Sequence, residues 1–272
     1  GIRFASRNIL RIGVALLGLR ITTSEVMELG WPVVALIAAS VAATILIGGL
    51  VGRAFGLKGD HAVLSAGAVA ICGASAALAI ASVLPTHKNH ERNTIMTVAG
   101  VTALSTVAMV LYPVFVTYLN YDNATAGVFL GATIHDVAQV VGAGYIISDQ
   151  TGEISTVVKL IRVAFLVPVV VVISLITHRS RAESPDKRPL LPWFLVAFVA
   201  LVIVNSLGWV PEDAHAVLTP LSSWCLLAAV AALGVKTSLK SLTEVGPAPV
   251  GVMVFQTLFL AALVIGGITL IR

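Results

Sequence analysis

The stretch Ala124-Thr-Ala-Gly-Val-Phe-Leu-Gly-Ala-Thr-Ile-His-Asp-Val-Ala-Gln-Val-Val-Gly-Ala-Gly-Tyr-Ile-Ile147 is apolar over nearly its whole length, yet it holds His135, Asp136 and Gln139 at its centre. About 20 predominantly apolar residues suffice to cross a hydrocarbon core. Ionisable groups at the middle of such a span are costly and ordinarily face a cavity, a pathway or each other. The stretch therefore reads as a membrane helix with a polar centre. On one continuous helix His135 and Gln139, four apart, and Asp136 and Gln139, three apart, share a flank. A structural His–Asp pair joining two helices is the plainer reading, and a functional site is the sharper one. Gly127, Gly131, Gly142 and Gly144 bracket the centre and make local unwinding cheap.

The rest of the chain is of the same kind. Of its 272 residues 58% are hydrophobic and 11% charged, with a mean hydropathy of +0.99, where a soluble domain carries about 25% charged residues. About nine hydrophobic segments follow one another, roughly 5–20, 31–52, 62–84, 94–119, 124–147, 155–177, 190–208, 214–236 and 248–271. They are separated by Gly-, Pro- and Asn-bearing breaks. A β-barrel needs short segments alternating in hydrophobicity, and these are apolar all round. The fold class is thus an all-α polytopic membrane protein, with residues 1–272 forming one transmembrane domain.

Cys72 and Cys225 lie inside apolar runs, where no disulfide framework is expected. The net charge of +4 is scattered through loops, so nucleic acid is not a partner. If the segments alternate in direction, Arg3, Arg7, Arg53, Lys58, Arg179, Arg181, Lys187, Arg188, Lys236 and Lys240 gather on one face. The excess of basic residues makes that face cytoplasmic. Arg20, Lys88, Arg92 and Arg272 fall on the other. Gly1 and the basic stretch Arg3, Arg7, Arg11 show no signal-peptide pattern, and we read the start as lying inside a longer protein. Val14-Ala-Leu-Leu-Gly-Leu-Arg-Ile-Thr is echoed by Val230-Ala-Ala-Leu-Gly-Val-Lys-Thr-Ser, as an internal duplication would produce.

Segment 62–84 has a second unusual centre, Ile71-Cys-Gly-Ala-Ser-Ala. Small residues there serve close helix packing. Alternatively Gly73 breaks the helix, and the half-helix after it turns free N–H groups toward the bilayer centre, where they attract an anion. Two polar, glycine-bearing centres in separate spans are the pattern of a carrier's midplane binding site. Lys159 and Arg162 admit two readings: snorkelling to the interface, or positive charge supplied to an anion near His135. Arg20 and Lys236 read as interfacial anchors, Gln256 and Asn205 as makers of interhelical hydrogen bonds, and Pro113 and Pro168 as kinks.

In Leu10-Arg-Ile-Gly-Val-Ala-Leu-Leu-Gly-Leu-Arg, Ile71-Cys-Gly-Ala-Ser-Ala and Gly131-Ala-Thr-Ile-His-Asp-Val-Ala-Gln-Val, the chain resembles the sulfate exporter family of YeiH-like proteins. That family belongs with the bile acid, arsenite and riboflavin transporter superfamily. The resemblance covers essentially the whole chain. It implies an inverted-repeat secondary-transporter fold with two discontinuous helices crossing near the bilayer midplane, and further amino-terminal helices in the full protein. It implies a binding site of Cys72, Gly73, Ala74 and Ser75 facing His135, Asp136 and Gln139, with Lys159 and Arg162 as added positive charge. The expected cargo is sulfate or another small inorganic or organosulfur anion, exported by alternating access. His135 or Asp136 would change protonation in the cycle, histidine being the side chain that titrates near neutral pH. H⁺ or Na⁺ is the coupling ion, a homodimer one compatible assembly, and the cytoplasmic membrane of a bacterium the expected location. No cofactor, metal or enzymatic activity is expected. An intramembrane hydrolase built on Ser75, His135 and Asp136 is disfavoured because neighbouring residues of a helix point about 100° apart. A passive anion channel is the closer rival, since pores use helix ends and basic residues too.

Overall fold

A computed structural model describes residues 8–85, 88–178, 193–236 and 247–271, and every regular element among them is helical. Hydrocarbon offers the backbone no hydrogen bonds, and a helix satisfies its own. The chain forms α1 (Leu10–Leu17), α2 (Thr23–Glu28), α3 (Gly30–Ala54), α4 (Gly59–Ala70), α5 (Ala74–Ala81), α6 (His90–Tyr118), α7 (Asn123–Thr133), α8 (Val137–Ile147), α9 (Asp149–Ala164), α10 (Leu166–His178), α11 (Trp193–Ser206), α12 (Glu212–Lys236) and α13 (Pro247–Ile271). Among the described residues four stretches are long and apolar enough to cross a membrane: α3, α6, α13 and the α9–α10 run Asp149–Thr177. The division at Phe165 has a local cause. Pro168 offers no N–H to the carbonyl of Ala164, and its ring crowds that carbonyl. Pro113, by contrast, lies within α6, which runs on through it.

Polarity is sorted as lipid requires. Leu46, Leu50, Leu111, Leu175, Ile176 and Leu258 are exposed, while Ser40, Thr44, Thr97, Ser105, His135, Gln139, Lys159, Arg162 and Gln256 are buried. Gln256 makes an interhelical bond, its Nε2 donating to Gly48 O (3.0 Å), whereas Asn205 Nδ2 donates to Ile21 O (3.2 Å) in the connection after α1. The helices α1 and α12 pack together, and Ser222 Oγ donates to Gly13 O at 2.8 Å.

The glycines around the polar centre act differently from the sequence expectation. None of Gly127, Gly131 or Gly144 is a point of unwinding. Each lets α9 approach α7 or α8 closely, because an added Cβ would stand 2.8 Å from Ile154 Cβ at Gly127, 2.4 Å from Ser155 O at Gly131 and 2.4 Å from Ser155 Oγ at Gly144. Small residues serve this close approach wherever helices pack without help from the hydrophobic effect.

Arg3, Arg7, Arg179, Arg181, Lys187, Arg188, Lys240 and Arg272, on which the expected charge asymmetry rests in large part, lie outside the described residues. So do the side chains of Arg20 and Lys236, read as interfacial anchors.

Candidate functional site

Helical structure stops at Ala70 and resumes at Ala74, and it stops again at Thr133 and resumes at Val137. The two gaps touch. A Cβ placed on Gly73 would lie 3.5 Å from His135 Cβ and 3.6 Å from His135 O. At the first gap Gly73 takes φ 63°, ψ −122°, a conformation open to glycine and strained for any other residue. Gly73→Ala is therefore expected to cost about 1–3 kcal/mol, read as a fall of several degrees in the unfolding midpoint of the detergent-purified protein. An unchanged midpoint would show that the gap tolerates a side chain.

Ending a helix inside a membrane strands its last carbonyls, and those at the end of α4 each have a partner. Gly67 O accepts from Ile71 N (3.2 Å) and Ala68 O from Gly73 N (2.8 Å). Val69 O and Ala70 O accept from Arg162 Nη2 (2.5 Å) and Nε (2.6 Å), and Ile71 O from Lys159 Nζ (2.6 Å). At the second gap Ile134 O accepts from both Lys159 Nζ (2.9 Å) and Arg162 Nη1 (3.3 Å). Lys159 and Arg162 are thus 0% and 1% exposed, so neither snorkels. Both tie the carboxyl-terminal ends of α4 and α7 together, where the helix dipole favours a cation.

The amino-terminal ends of α5 and α8 differ. At α8, Asp136 Oδ1 accepts from Ala138 N (2.9 Å), while the N–H groups of His135 and Asp136 donate to Ser105 Oγ (3.2 and 3.0 Å). At α5 no side chain caps the first turn. Ala74 there is half-buried and Ser75 exposed. Ser75 Oγ turns back to Cys72, donating to its carbonyl at 3.2 Å and lying 2.8 Å from its thiol.

His135 and Gln139 are drawn toward neighbouring helices. His135 Nε2 meets Thr257 Oγ1 at 3.0 Å. That hydroxyl already donates to Met253 O, so Nε2 carries the hydrogen. Gln139 Nε2 donates to Thr106 Oγ1 at 2.7 Å. The structure accordingly brings Cys72, Gly73, His135, Lys159 and Arg162 to one junction, with Ala74, Ser75 and Asp136 at its more open edge. It sets the rings and amides of His135 and Gln139 against α13 and α6. Ser75 Oγ thus bonds to Cys72, and His135 Nε2 to Thr257. Ser105, Thr106 and Thr257 were not singled out from the sequence. Hydroxyls are common in membrane helices, and nothing in their spacing marks these three.

The model of the family described as Conserved hypothetical protein 698 matches residues 1–253. The chain belongs to that family. Relatives in the Conserved hypothetical protein 698 family carry the name UPF0324 membrane protein. One from Chlorobaculum tepidum is 53% identical over 98% of this chain and 75% of its own length. Another, named TauZ, from Paracoccus denitrificans, is 49% identical over 98% of this chain and 80% of its own. A third, from Rhizobium meliloti, is 47% identical over 98% and 78%. No solved structure matches. As a Conserved hypothetical protein 698 member with four described stretches fit to cross a bilayer, the chain is an α-helical membrane protein.

Proposed function

We propose that this chain is a secondary transporter of a small anion, sulfate or a related sulfur oxyanion being the favoured cargo, working by alternating access in a bacterial cytoplasmic membrane. The observation that carries the reading is the uncapped, partly exposed start of α5 beside two buried cations. Each helix end carries a partial charge of about half an elementary unit, positive at the amino and negative at the carboxyl end. With Lys159, Arg162 and Asp136 added, the junction sums to about +1, and the face on which this charge meets open space is the first turn of α5. In the proposed site the N–H groups of that turn and Ser75 hold the anion. Asp136 stands at its edge, where a change of protonation would alter the anion's affinity, and H⁺ is the proposed coupling ion.

The same reading gives the architecture. The pairs α4–α5 and α7–α8 act as two discontinuous helices crossing near the midplane, each followed by a long helix, α6 and the α9–α10 run. This repetition supports an inverted repeat. The relatives' shared name, UPF0324 membrane protein, agrees with a membrane role and leaves the cargo to experiment.

Ser75→Asp provides the sharpest test. A carboxylate in the first turn of a helix stabilises it, so the variant is expected to fold with an unfolding midpoint at or above that of the wild type. The same carboxylate repels an anion, so saturable sulfate, sulfite or thiosulfate flux into proteoliposomes is expected to fall more than tenfold. Wild-type flux that never saturates and shows no counter-transport would favour a channel. Full flux through Ser75→Asp would remove the anion from this site.

A further inference from the structure

We infer that the two gaps build a cation site and that the ammonium of Lys159 fills it from within. Ile71 O and Ile134 O come from different parts of the chain, yet both point at Lys159 Nζ, from 2.6 and 2.9 Å. Unwound carbonyls at the ends of two half-helices form the donor set with which membrane carriers coordinate a monovalent metal ion. Hard oxygen donors and the negative ends of two helix dipoles favour a cation of any kind at this point. The Arg162 guanidinium, on Val69 O, Ala70 O and Ile134 O, closes one side of the position. A cation tethered to α9 loses no translational freedom on binding, so it outcompetes a free ion at ordinary salt concentrations.

The chain therefore takes up no Na⁺ or K⁺ at the crossing. Taken with the transport reading, on which this consequence rests, anion flux is independent of a Na⁺ gradient. The stability test below stands apart from transport, so the two ideas fail separately.

Full-length wild type, Lys159→Ala and Lys159→Gln are purified in detergent. Each is unfolded thermally in choline chloride, sodium chloride and methylammonium chloride at equal ionic strength. The wild type is expected to unfold at one temperature in all three. Lys159→Ala, with Ile71 O left without its donor and Ile134 O holding only Arg162 Nη1, is expected to unfold lowest in choline and to regain several degrees, saturably, with methylammonium or Na⁺. Lys159→Gln offers donors without charge and is expected to remain below wild type and insensitive to cations. Should Lys159→Ala fail to fold in choline, recovery of monodisperse protein on purification in methylammonium supports the site. The inference is overturned if the wild type responds to Na⁺ as Lys159→Ala does, if Lys159→Ala is indifferent to every cation, or if Lys159→Gln matches the wild type.

Discussion

Arg162→Ala is expected to leave little folded protein. The substitution removes the donors that Arg162 gives to Val69 O, Ala70 O and Ile134 O. A buried polar group stripped of its partner costs about 1–3 kcal/mol. Ile134 O keeps Lys159 Nζ, so Val69 O and Ala70 O are the two stripped outright, and their loss is a large share of the stability of an ordinary domain, about 5–15 kcal/mol. Neighbouring groups cannot relieve the deficit, because Lys159 is already shared between Ile71 O and Ile134 O. Arg162→Lys keeps a charge but replaces a planar fork by a single point donor, so it is expected to fall between wild type and Arg162→Ala. Size-exclusion profiles and unfolding midpoints in detergent decide the matter. A monodisperse Arg162→Ala protein melting with the wild type would mean that these carbonyls are satisfied in another way.

Gly131→Ala comes second in size, and its sign runs against helix propensity. Within an isolated helix this exchange stabilises by up to about 1 kcal/mol. Here the new Cβ would stand 2.4 Å from Ser155 O and 2.8 Å from Val158 Cβ. A helical carbonyl cannot swing aside as a side-chain tip can, so α7 and α9 must part, and overpacking of this kind costs about 1–3 kcal/mol or more. The separation also pulls α9, which bears Lys159 and Arg162, away from Ile134 O, so the loss is expected at the upper end of that range. Gly266→Ala, where nothing stands within 4 Å of the added Cβ, serves as the control and is expected to be neutral or mildly stabilising. Equal midpoints for the two variants would show that the α7–α9 seam yields.

The sequence marked both polar centres and missed how they are held. Expected segments 62–84 and 124–147 became α4–α5 and α7–α8, and three of their ends were legible because Gly56 to Asp60, Tyr121 to Asn123 and Ser148 to Gly152 carry local turn chemistry. The caps themselves bear this out: Asp122 accepts from Thr125 N, and Ser148 from Thr151 N. Gly73 was likewise readable as a break, and its positive φ agrees. At the second centre unwinding was expected from the bracketing glycines, whereas the helix stops at Ile134-His-Asp, which contains no residue that forbids a helix. Ser105, from α6, holds it by taking two backbone N–H groups.

Lys159 and Arg162 show the boundary most clearly. Their position near the start of a span left snorkelling and anion binding equally open, because both depend on which way a helix face turns. Their partners lie 25 to 93 residues away, so no local pattern encodes the answer. By itself the sequence determined what the bilayer dictates: helices as the only elements, their lengths, and the placing of polar groups where lipid makes them expensive. Only the tertiary structure decided that the cations belong to the carbonyls of two broken helix ends, that the glycines belong to the seam with α9, and that the start of α5 is left open. Each of those depends on which backbone groups the folded helices bring face to face.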